Sequence, residues 1–156
     1  MSEGIKAETI HLTNFIGDLA LGNKYEKIFM SYISKTSKSL SQMQGKFSAY
    51  DICADGVYYE IKSDRKAHAT NNICIEYECS QKPSGISVTT ADFYIYFIIQ
   101  PDDSHHVYKI PVSYIKQLVE DKKYSKDVKG GDGWRAAMYL FDVDLFSDFC
   151  IDSTFF

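Results

Sequence analysis

The sequence is poor in the residues that interrupt or staple a chain. Proline occurs three times, at Pro83, Pro101 and Pro111, each at an expected loop or element start, and no proline-rich linker divides the chain. The four cysteines, Cys53, Cys74, Cys79 and Cys150, form no CxxC pair and no zinc-type spacing. That argues against a zinc or iron–sulfur centre and predicts buried or free thiols in a reducing compartment. His11, His68, His105 and His106 lack metal-helix spacing such as HxxxH, and the His105-His106 pair beside Pro-Asp-Asp-Ser reads as a solvated turn. No apolar run approaches the roughly 20 residues of a membrane span. The opening MSEGIKAETIHL lacks the basic-then-apolar layout of a signal peptide, so a soluble, intracellular protein is expected. Internal repeats and low-complexity tracts are missing too.

What is present suits one packed domain over residues 1–156. Hydrophobic residues make up 45% and aromatics 15%, enough for a real core, and 12 Tyr with 10 Phe lean the composition toward sheet. The net charge of −4 weighs against strong non-specific DNA binding, which rests on Lys and Arg. The cations are unevenly spread, however. Lys122, Lys123, Lys126 and Lys129 lie between Lys116 and Arg135 with few acids among them.

Residues from about 8 to 35 carry helical periodicity, with Gly22-Asn23 as a predicted interruption and Asn23 as an N-cap. SKTSKSLSQMQGK reads as a loop, and two strands flank Asp55-Gly56, the strongest hairpin signal in the chain. NNICIEYEC predicts a third strand, with Ile73, Ile75 and Tyr77 on one face and Cys74, Glu76 and Glu78 on the other. DFYIYFIIQ predicts a strand buried on both faces. HVYKIPV reads as a short strand, PVSYIKQLVEDKK as a helix, KGGDGWRAA as a glycine-rich loop and MYLFDVDLF as a late strand. The order predicts an α/β (α+β) domain with a central mixed β-sheet flanked by helices.

In AYDICADGVYYEIKSD, a two-residue turn at Asp55-Gly56 would set Ile52 opposite Tyr59 and Asp51 opposite Glu60. Lys62, two residues past Glu60, then shares their face, while Ile52, Tyr59 and Ile61 point the other way. Two carboxylates that close repel unless neutralised. A divalent cation such as Mg²⁺ would do this with one or two carboxylates, waters and phosphate oxygens as ligands. A nearby lysine can orient or deprotonate an attacking water and stabilise charge developing on phosphate. The wet face of an ordinary hairpin is the alternative. A one-residue change at the turn would move Asp51 opposite Tyr59.

Asp51 followed by Glu60-Ile61-Lys62 resembles the PD-(D/E)XK nuclease superfamily, with Tyr50 where the name has proline. Glu26 in GNKYEKIFMSYI matches the additional helix glutamate of the family. NNICIEYECSQKPSGISVTTADFYIYFI is similar to small phage-type and large-DNA-virus-type members. The likeness covers about residues 20 to 100. It implies a restriction-endonuclease-like fold in which Asp51, Glu60 and the Ile61 carbonyl bind Mg²⁺ or Mn²⁺. Lys62 would position or activate the water, and Glu26 would be an outer or additional ligand. Glu76 or Glu78 would complete the shell through water, with a solvated edge as the alternative.

Several other residues have two readings. Thr89 and Thr90 either contact phosphate or cap the segment before Ala91-Asp92. Arg65, Lys66 and His68 either touch DNA at the rim or form a solvated loop. Lys129 and Arg135 belong to a second basic flank. Trp134 either stacks on a base or plugs the core. The KGGDGW segment has no GKS or GKT and is not a Walker-type phosphate loop.

The function this implies is a metal-dependent endo- or exonuclease, a hydrolase that cuts DNA phosphodiester bonds in repair, recombination or host-DNA degradation. A homodimer is compatible with the junction-resolvase type, and host cytoplasm or nucleus with a viral member. The rival is a catalytically inactive nuclease-fold protein, acting as a DNA- or protein-binding module or inhibitor.

Overall fold

The computed structural model describes residues 20–43, 50–130 and 135–151. Residues 20–34 belong to helix α1, whose stripe of Tyr25 and Phe29, with Ile28, Tyr32 and Ile33 beside it, packs on a sheet. The helix runs through Gly22-Asn23 without a break. A helical glycine costs about 1 kcal/mol against alanine, less than burial of the two aromatic rings returns.

Strands β1 (Leu40–Gln42), β2 (Ile52–Ala54) and β3 (Val57–Asp64) follow. The segment read as a loop thus holds a short edge strand. Asp55 explains why: its Oδ1 accepts the Lys38 and Ser39 amides at 2.9 and 2.8 Å, and its own amide donates to the Ser39 carbonyl. Asp55 and Gly56 have φ of 51° and 80°, the two left-handed residues of a type I′ hairpin turn. Ile52 pairs with Tyr59 and Ala54 with Val57, as the turn predicts.

β3 ends at Asp64, whose Oδ1 accepts the amides of Lys66 and Ala67 and so opens the short helix α2 (Ala67–Thr70) inside the segment read as loop. Asn71, with φ of 58°, turns the chain into β4 (Asn72–Cys79) and the two-residue β5 (Lys82–Pro83). A 3-10 turn at Gly85–Ser87 leads to β6 (Phe93–Ile99) and β7 (His105–Pro111). Helix α3 (Val112–Glu120), β8 (Lys126–Gly130), β9 (Ala136–Asp142), a 3-10 helix at Val143–Phe149 and β10 (Cys150–Ile151) complete the described chain.

Two sheets form instead of the one expected. The first is six-stranded and mixed, in the order β1-β2-β3-β6-β7-β10, with β3 parallel to β6 and every other pair antiparallel. The second is four-stranded and antiparallel, in the order β5-β4-β9-β8. The α2 turn takes β4 out of the first sheet. The Cys74 amide then donates to the Tyr96 hydroxyl at 3.2 Å, so β4 turns an edge toward the first sheet.

β6 is buried on both faces as its composition predicts. Ile95, Phe97 and Ile99 meet α1, while Tyr94, Tyr96 and Ile98 meet the second sheet and α3. His105 does not sit in a solvated turn. It starts β7, its ring centroid 5.6 Å from Tyr25 and 5.4 Å from Phe97. The late strand stops at Asp142, whose side chain accepts the Asp144 amide and opens the 3-10 helix. The four cysteines are free thiols. No helix among the described residues is long and apolar enough to cross a membrane.

Replacing Asp55 with alanine removes the acceptor shared by two backbone amides and leaves a left-handed residue without its local partner. A loss of about 1–3 kcal/mol is expected, seen as a lower urea midpoint with an unchanged slope.

Candidate active site

β3 is amphipathic at period two. Tyr59 and Ile61 are buried against α1, with the Phe29 and Tyr59 rings 5.0 Å apart, and this turns Glu60, Lys62 and Asp64 to the opposite side. The regular β2–β3 register stops one residue short of the expected Asp51–Glu60 pair. The Asp51 amide donates to the Tyr59 carbonyl, and Asp51 Oδ2 accepts the Ile61 amide at 2.7 Å. The carboxylate thus replaces the missing strand neighbour at the edge of β3. Because a strand residue directs its N–H and C=O to the same edge, the Ile61 carbonyl lies on the Asp51 side as well.

Lys62 Nζ stands 3.3 Å from Glu60 Oε1. Glu26 approaches from α1, its Oε2 accepting Gln42 Nε2 at 3.0 Å. The electrostatics place these groups in one another's field. Burial raises the Glu60 carboxyl to about 7; Lys62 opposes the shift, and Asp51 and Glu26 add to it. Asp51 is raised by burial against the opposing Ile61 amide and Lys62, and Glu26 by burial and then by Asp51. The structure therefore brings Asp51, Glu60, Lys62 and Glu26 together.

Glu76 and Glu78 do not share a face. The β4–β9 register passes from Glu76↔Met138 to Glu78↔Ala137, a bulge that shifts the alternation by one residue. Glu76 is oriented by Ser84, whose hydroxyl donates to its Oε2 at 2.9 Å. Tyr94, opposite Glu60 on β6 and 2% exposed, has its hydroxyl pKa raised by burial and then by the nearby Glu60, Glu76 and Asp51 carboxylates. Glu76, on the second sheet, thus shares Tyr94 as a neighbour with Glu60.

Gln42, Ser84, Gly85 and Tyr94 were missed from the sequence. Only the Gly85-Ile86 step after a polar loop gave a local signal. Tyr94 depends on the parallel β3–β6 register, which no short-range pattern reports.

The expected rim residues disperse. Exposed Arg65 pairs with Asp103 at 3.8 Å. Exposed Lys66 precedes α2, and exposed His68 lies within it. Thr89 Oγ1 accepts the Ala91 amide at 3.1 Å, the structural cap of the two readings, and Thr90 is exposed. Lys129 and Arg135 share a cavity on the second sheet that contains none of Asp51, Glu60 or Lys62. Trp134, with residues 131–133, lies outside the described residues, as do His11 and residues 44–49 before the site.

Among the described residues, no three His, Cys, Asp or Glu side chains form a ready-made metal cage. The donor set is instead two carboxylates and a backbone carbonyl, all hard oxygens. Such a set suits Mg²⁺, which binds through one or two carboxylates and keeps several waters. The chain matches no family model and no curated protein.

Two outcomes follow. Burial pushes the folded Glu60 carboxyl up to about 7 from an ordinary 4.5, so between those values the folded state holds a proton that the unfolded chain has released. Stability measured in EDTA is expected to fall as pH rises from about 4.5 through 7. The slope should flatten in Glu60→Gln, while the raised Asp51 and Glu26 leave a smaller remainder of the same sign. The second concerns Gly85, which has φ of 52° and where an added Cβ would lie 2.1 Å from the Glu76 carbonyl oxygen. Gly85→Ala is expected to lower stability by about 2–4 kcal/mol in denaturant titration, because the backbone must move.

Proposed function

We propose that the chain is a metal-dependent deoxyribonuclease of the PD-(D/E)XK type, which hydrolyses phosphodiester bonds. The observation that supports this most is the joint placement of Glu60 and Lys62 on one face of β3 and of Asp51 at its edge, with the Ile61 backbone held by the Asp51 carboxylate. A surface hairpin needs no such concentration of half-buried acids, since burial and mutual repulsion both penalise their charged forms. A hard cation with oxygen preference removes that penalty.

Asp51, Glu60 and the Ile61 carbonyl would hold Mg²⁺ or Mn²⁺, which when bound supplies charge neutralisation and an acidified water. Glu26, held by Gln42, and Glu76, held by Ser84, serve as outer acceptors that orient ligand waters. Lys62 Nζ donates a hydrogen bond to the attacking water and offsets negative charge developing on the phosphate oxygens. The Asp51–Ile61 hydrogen bond keeps the carboxylate in place before substrate arrives.

Supercoiled, linear, single-stranded and four-way-junction DNA incubated with Mg²⁺ and then with EDTA test the class. Chelator-sensitive cutting of at least one substrate is expected. Asp51→Ala, Glu60→Ala and Lys62→Ala should each reduce the rate by about 100-fold or more while circular dichroism stays native. Parental rates in all three variants, or no cutting of any substrate, would return the chain to the inactive binding class.

A further inference from the structure

The β4–β5 hairpin closes on Ser80 and Gln81, with φ of 51° and 65°, between the paired residues Cys79 and Lys82. The Ser80 amide donates to the Arg135 carbonyl at 2.9 Å, which fixes this turn to the chain just before β9. On β8, Lys129 pairs with Ala137, the same residue that faces Glu78 across the bulge. The bulge therefore gathers residues from three strands around one concavity. Glu78, Ser80, Gln81, Lys129, Arg135 and Ala137 line about 350 Å³ of open space.

Among the described lining residues the charge is unbalanced: two cations face one carboxylate, and neither Lys129 nor Arg135 has a salt-bridge partner among them. Both are exposed at the rim. A guanidinium offers a planar fork that matches two oxygens of a phosphate, and an ammonium adds a point charge. The Ser80 hydroxyl supplies a neutral donor on a turn whose backbone is pinned. Glu78 limits the net charge of the described lining to a single positive one, so a singly charged phosphodiester suits it. From Glu76 to the end of β4 at Cys79 the strand rises by at most about 10 Å, a span of a few nucleotides.

We infer that this concavity is a subsite for a backbone phosphate of nucleic acid, occupied some nucleotides away from the reacting bond. The identity of the ligand rests on the nuclease reading, whereas binding at the subsite does not require cleavage. Contacts of this kind position a strand without reading its sequence.

The test is the salt dependence of binding to a short fluorescein-labelled DNA duplex, measured by anisotropy in EDTA. The double variant Lys129→Gln/Arg135→Gln is expected to bind more weakly, with the slope of log K against log salt shallower by about 0.9, the loss of one phosphate contact. Glu78→Gln should bind more tightly than the parent, a gain that misfolding does not produce. Thermal melting of each variant checks the fold.

A parental slope in the double variant, no tightening in Glu78→Gln, or no duplex binding by the parent overturns the subsite. Inorganic phosphate is titrated in parallel. Displacement of the duplex at equal molar phosphate would reassign the concavity to free phosphate and overturn the proposal. Cutting is scored separately in Mg²⁺. Slope changes in a protein that never cuts would uphold the subsite and sink the nuclease, and unchanged slopes in a protein that cuts would do the reverse.

Discussion

Strand β3 has to satisfy two environments with one backbone. On one side Tyr59 and Ile61 fill the space beneath α1, among Phe29, Ile95 and Phe97, all but sealed from solvent. On the other side Glu60, Lys62 and Asp64 stay half-buried, with Lys62 paired to Glu60. Period-two alternation ties these demands together, and a slip of one residue would bury the charges and expose the aromatics. Burying each large apolar side chain contributes about 1.5–3 kcal/mol. The apolar side of β3 therefore holds the charged side in register.

The charged cluster accumulates an electrostatic penalty that its surroundings only partly relieve. Lys62 lies close enough to stabilise the Glu60 carboxylate, yet burial dominates and pushes the carboxyl up to about 7. Asp51 gains an amide donor and is still raised. These acids are held by structure against their own preference for water. The hairpin turn, the Asp55 links to residues 38 and 39, the Gln42 contact to Glu26 and the Ser84 contact to Glu76 all act in that direction. Gly85 belongs to the same set, because its lack of a side chain lets the turn after β5 close against the Glu76 backbone.

Legibility in the sequence followed the range of the interactions. The Asp55-Gly56 turn, the pairing of Ile52 with Tyr59 and the alternation in β3 are local, and the residue pattern reports them directly. The doubly buried β6 was equally plain from its apolar run. The Asp51–Glu60 pair was nearly legible. Its failure by one residue comes from a side chain taking the place of a backbone partner, which propensity does not encode. The helix crossed Gly22-Asn23, and His105 found two aromatic rings, because tertiary burial overrode weak local signals. The bulge between Glu76 and Glu78 separated two acids that simple alternation had joined.

Local chemistry along the chain was enough to set the hairpin, the amphipathic strand and the presence of Asp51, Glu60 and Lys62 within one turn of one another. Tertiary pairing alone decided that β4 would leave for a second sheet, that Tyr94 would stand beside Glu60, and that Lys129 and Arg135 would line one concavity. The division has a physical cause. Turn geometry and side-chain alternation depend on neighbours a few residues apart. Parallel pairing and sheet membership depend on which distant segments bury the most apolar surface together, and no short window contains both partners.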